Sequence, residues 1–186
     1  MKKFNLLLVL AISSALFMTS CEKDDPIIPN EEEVITTLNY TLTPEGGGTV
    51  IVLSFQDLDG DGGDAPVITG GTLAANTIYN GALTLLNEVE NPAENITEEV
   101  EEEAIEHQFF FDISTSDITI AYMDLDANGF PIGLDTKLTT TNTGSATITV
   151  VLRHEPAKDA TDVNTGDITN AGGETDIEVT FNVDVQ

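Results

Sequence analysis

In the stretch DIEVTFNVDV, from Asp176 to Val185, every second residue is apolar: Ile177, Val179, Phe181, Val183 and Val185 share one side, and the residues between them are acidic or polar. A period of two sends successive side chains to opposite faces, so this stretch predicts a strand with one face in a core and one in water. The same pattern recurs upstream. It predicts strands over Ser145 to His154, Leu134 to Thr141, Ile118 to Met123, His107 to Ile113, Thr77 to Asn87, Val67 to Thr72, Val50 to Phe55 and Val34 to Leu42. Turn residues separate them, notably Pro44 to Gly48, and Asn142-Thr143-Gly144, across which the strands on either side are expected to form a hairpin. Many short strands with frequent turns predict an all-β fold: one mainly antiparallel β-sandwich, either Ig-like or open and barrel-like.

Two stretches interrupt the alternation. Asn91 to Glu106 is the one helical candidate, with Pro92, Asn95 and Thr97 as start signals and Ile96, Val100 and Ala104 at spacing four. Glu98 to Glu106 is mostly glutamate without a basic partner, so repulsion shortens the expected helix to a turn or two over the sheet edge. Glu155 to Glu174 reads as a polar loop.

The chain opens differently. Lys2 and Lys3 precede an apolar run from Phe4 to Phe17, and Met18-Thr19-Ser20-Cys21 follows. A charged start, a short apolar core and small residues before a cleavage point make a signal peptide of residues 1–20. Ending in Ser-Cys, it resembles a lipobox, in which Cys21 is acylated and becomes the first mature residue. Acyl chains bury about 0.8 kcal/mol per methylene, so the expected product is anchored to a membrane without spanning it. Residues 21–33 form an acidic tether with Pro26 and Pro29, expected to be extended. Residues 34–186 form the β-sandwich domain. Cys21 is the chain's single cysteine, so its acylation leaves no thiol for a disulfide, a thiolate metal site or a nucleophile.

Charge narrows the partners. The chain has a formal net charge of −27, which becomes −29 once Lys2 and Lys3 leave with the signal peptide. Such a surface repels phosphate backbones, which excludes nucleic acid, and it attracts cations. The absence of tryptophan disfavours a sugar-binding platform. No nucleophile elbow, phosphate loop or zinc-protease motif is present, so a non-enzymatic role is expected.

Three constellations carry chemistry. His107 and His154, the two histidines of the chain, each end the core-facing row of a strand, beside Glu106 and Glu155. Should those strand ends meet, imidazole and carboxylate would suit zinc, copper or a related divalent metal. A hydrogen-bonded histidine at a strand end is the plainer alternative. Asp57, Asp59 and Asp61 stand in a DxDxDG turn, and Asp124, Asp126 and Asn128 in a DxDxNG turn with Asp135 at the twelfth position. Both resemble the front half of a calcium loop, with ordinary Asp/Gly turns as the alternative. The third constellation is the acidic run before His107, either a solvated face or a cation-attracting lip.

Several segments resemble a family of small Bacteroidota surface-exposed lipoproteins: LSFQDLDGDGGDAP (53–66), ALTLLNEVENPAENITEE (82–99), EHQFFF (106–111), MDLDANGFPIG (123–133), LRHEP (152–156) and NAGGETDIEVTF (170–181). Cys21-Glu22-Lys23-Asp24-Asp25 is similar to the surface-export signal of such proteins. The resemblance implies attachment to the outer membrane, facing outward. It also implies a binding role, as an accessory to a TonB-dependent receptor taking up a divalent metal or small cationic ligand, or else a structural or adhesive module with no small ligand.

Overall fold

The alternating segments form two sheets that bury their apolar faces against each other. The computed structural model describes residues 33–60 and 63–186. The expected signal peptide, Cys21 and the tether before residue 33 lie outside these residues. Among them are the strands β1 (Thr37–Pro44), β2 (Ile51–Gln56), β3 (Val67–Thr69), β4 (Gly71–Leu73), β5 (Ile78–Leu86), β6 (His107–Ile113), β7 (Ile118–Tyr122), β8 (Asp135–Thr140), β9 (Gly144–His154) and β10 (Glu174–Val185). The helix α1 (Ile96–Glu102) lies between β5 and β6. One sheet runs β3-β2-β1-β5-β8-β7 and the other β4-β10-β9-β6. Neither closes on itself, so the fold is an all-β sandwich and not a barrel.

The core is what the period of two foretells. Leu38, Tyr40 and Leu42 of β1 and Leu83 and Leu85 of β5 face Ile148, Val150 and Leu152 of β9 and Val179 and Phe181 of β10, all buried. At about 25 cal/mol per Å² of apolar surface removed from water, each such side chain contributes roughly 1.5–3 kcal/mol. Ile96 and Val100 turn one side of α1 into this core. Thr97 ties the helix to β5: its Oγ1 accepts from Leu85 N at 2.8 Å and donates to Leu85 O at 3.2 Å.

Three expectations change. The Leu134 to Thr141 and Ser145 to His154 strands are not a hairpin: β8 joins the first sheet, between β5 and β7, and β9 the second, between β10 and β6. Alternation states which side of each strand is apolar but not which strand lies alongside, and here Thr141 to Thr143 carry the chain across the sandwich. The single strand expected over Val67 to Thr72 is broken at Gly70. A Cβ there would collide with the carbonyl oxygen of Asn182, so glycine lets β3 pair with β2 while β4 pairs in parallel with β10. The polar loop after His154 is a lid with its own small core. Val163 and Ala171 pack on Phe110 and Val151, on the outward side of the second sheet, and Gln108 Nε2 donates to Val163 O at 2.9 Å.

Candidate metal centre

β6 begins where β9 ends, and the two pair antiparallel with His107 opposite His154. Cross-strand partners lie about 4.5–5.5 Å apart at Cβ, so the register alone brings the rings together. Their centroids are 4.6 Å apart, the planes nearly perpendicular, and His154 Nδ1 sits 2.9 Å from His107 Nε2. Both residues are buried.

A carbonyl fixes the polarity of this pair. His107 Nδ1 lies 3.2 Å from Glu103 O, at the C-cap of α1. A carbonyl oxygen only accepts, so Nδ1 of His107 carries the proton and its Nε2 is left bare. The hydrogen on the 2.9 Å contact therefore belongs to His154 Nδ1. Burial lowers the pKa of His107, a shift opposed by its bond to the Glu103 carbonyl. The neutral ring is the form this chain of bonds requires.

Nε2 of His154 faces carboxylates. It is buried and has no hydrogen-bond partner among the described residues. Glu106 Oε2 stands 4.0 Å from it. One donor atom each from Glu106, His154 and Glu155 lie within 4.8 Å of one another. Two zinc–ligand bonds of about 2.0–2.2 Å at a tetrahedral angle separate their donors by roughly 3.3–3.6 Å, so shifts of up to about an ångström in the exposed glutamates would close this group on an ion. A ligating histidine held through its other nitrogen by a fixed acceptor is the usual outer-shell arrangement of a metal site.

Local backbone features hold the carboxylates there. Glu155 adopts φ 49°, in the left-handed region that bulky residues avoid, and its N–H donates to Glu106 O at 2.6 Å. Gly173 passes against this turn so closely that a Cβ would strike His154 O. Lys158 secures the acidic turn: its Nζ donates to Ala104 O at 2.6 Å, Pro131 O at 3.1 Å and Asp126 Oδ2 at 2.9 Å.

That lysine also enters the second acidic turn, where calcium or an ordinary Asp/Gly turn was expected. Asp126 Oδ1 accepts from the amides of Asn128 and Phe130, at 2.8 and 3.0 Å, while its other oxygen holds Lys158. Asp124 spends its oxygens on the amides of Gly133 and Asp135, at 2.8 and 2.9 Å. A buried ammonium thus places one positive charge against this turn. Burial raises the Asp126 pKa, but the Lys158 bond and the two amides overcome this and hold it below its ordinary value. In the first turn, Asp57 Oδ1 accepts from Gly60 N at 2.9 Å and Asp59 Oδ2 from Asp64 N at 2.9 Å, as ordinary turns do. Asp61 lies outside the described residues.

Sequence reading missed two participants. Asp176 should face solvent by alternation, opposite Ile177. A bulge between Thr175 and Ile177 turns it inward, and its Oδ2 lies 4.0 Å from His107 Nε2. Glu99 forms a carboxyl pair with Glu33 beside this end of the sandwich; burial, and then the shared hydrogen bond, push its pKa up to about 7.

No protein family, curated protein sequence or solved structure matches the chain.

Proposed function

We propose that this chain is a lipid-anchored, outward-facing protein of the outer membrane that binds a divalent transition metal without catalysis, as an accessory to a TonB-dependent receptor. Cys21 would supply the anchor, and the sequence up to Asp25 supports the address. The metal is held by His154 Nε2 with Glu106 and Glu155. His107 is the positioning residue that fixes the tautomer of His154. The observation that carries this reading is the buried, unbonded Nε2 of His154, aimed at exposed carboxylates. One imidazole with carboxylates suits zinc or copper better than calcium, which takes six to eight oxygens. The acidic surface adds a long-range attraction for the cation.

Calorimetry and elemental analysis on the full chain, produced without a histidine tag, test the proposal. Zinc should bind at micromolar concentration or tighter, and His154→Ala should abolish it while the thermal melt persists. No zinc or copper uptake by the unaltered chain rejects the metal reading. A structural or adhesive module is the second reading, favoured by β3, a free edge strand with Val67 65% and Ile68 46% exposed.

A further inference from the structure

We infer that His154 serves two metal positions, the outer one above and an inner one formed by His107 Nε2, His154 Nδ1 and the Asp176 carboxylate, and that one ion passes between them. The inference rests on the metal reading of the outer position.

The inner group is built. Its three donor atoms lie within 4.8 Å of one another, with His107 Nε2 2.9 Å from His154 Nδ1 and 4.0 Å from Asp176 Oδ2. The side chains of His107 and Asp176 are 0% and 1% exposed. Two imidazoles and a carboxylate are a common zinc donor set. Tetrahedral zinc would set the nitrogens roughly 3.3 Å apart, so the rings need open by only about half an ångström. The bulge that turns Asp176 inward places it beside both histidines of the chain.

The Asp176 carboxylate oxygens are themselves buried, and a cleft borders the residue. Asp176 lines a cleft of about 520 Å³ whose wall carries Asp57, Asp59 and Glu178 among apolar residues such as Leu58. The first acidic turn, whose Asp57 N donates to Thr36 O at 2.8 Å, forms part of the wall of this cleft.

A ring nitrogen that holds the ion cannot also hold a proton, which makes the positions exclusive. With the ion outside, at Nε2, the proton sits on Nδ1 and donates to His107 Nε2. With the ion inside, at Nδ1, the proton sits on Nε2, toward Glu106 Oε2 at 4.0 Å. His107 keeps its Nδ1 proton on Glu103 O in both states. The transfer moves one proton from one nitrogen of His154 to the other by way of solvent. It releases none and needs no co-reactant. The exposed carboxylates are the capture position and the buried pair the holding position.

Zinc alone is the probe. In the Glu106→Gln, Glu155→Gln double variant, one zinc per chain should still bind, and adding Asp176→Asn should weaken it by tenfold or more. If the unaltered chain binds zinc and the double variant does not, the inner position is overturned and the outer one stands. If the unaltered chain binds none, the metal reading itself falls. Because Asp176→Asn alters a buried side chain, nitrogen NMR of the imidazoles in the unaltered chain gives an independent reading. Zinc shifts at both His154 Nδ1 and His107 Nε2 support the inner position. Shifts confined to His154 Nε2 overturn it.

Discussion

Lys158 shows how much one residue arranges. Its ammonium is buried and bonded three times, to a carboxylate and two carbonyls. Burial lowers its pKa while Asp126 pulls it back up. Removing one partner of such a pair strands the other charge in the interior, at a cost of about 3–5 kcal/mol, although exchanging both for apolar residues is often neutral. Lys158→Met should therefore lose stability on that scale in urea unfolding. The double variant with Asp126→Leu should recover a large part of it. A loss below about 1 kcal/mol for Lys158→Met would mean that Asp126 reaches water once the lysine is gone. The sequence shows Lys158 only as one of six basic residues. Its partners lie 27, 32 and 54 positions away.

At the scale of elements, the sandwich depends on places where a strand stops being regular. Gly70 lets one extended stretch serve both sheets, and the bulge in β10 turns Asp176 from solvent toward the histidines. Gly70→Ala should force Asn182 away and separate β4 from β10, at a cost of roughly 1–3 kcal/mol from overpacking. Denaturant unfolding should register that loss, and faster amide exchange should be confined to Gly71 to Leu73 and their partners Val183 to Val185. Uniform exchange would show that the sheet tolerates the shift. Strand faces were legible here because they follow from a local period. The two sheets were not, since β8 and β9 carry the same alternation whether they pair with each other or with others. The lid after His154 was hidden for a similar reason: Val163 and Ala171 are too few to mark a core until Phe110 and Val151 meet them.

The whole molecule carries a net charge of −27, with Lys137–Glu45 and Lys158–Asp126 as its lysine–carboxylate pairs among the described residues. Self-repulsion of this size opposes compaction, and at 0.15 M salt it is screened beyond about 8 Å. The melting temperature should rise by roughly a few degrees between low salt and 0.3 M sodium chloride, measured by circular dichroism. A flat response would show that the carboxylates lie too far apart to oppose folding. The sequence by itself determined the all-β class, the inward face of the long alternating strands and the acidic composition, because composition and a period of two are local properties. Tertiary structure alone decided that His107 and His154 are cross-strand partners 47 positions apart, that Asp176 joins them, and that the Glu103 carbonyl turns the proton of His107 onto its Nδ1. Register between distant strands and the direction of a hydrogen bond are set by which backbones meet, and no local pattern encodes that.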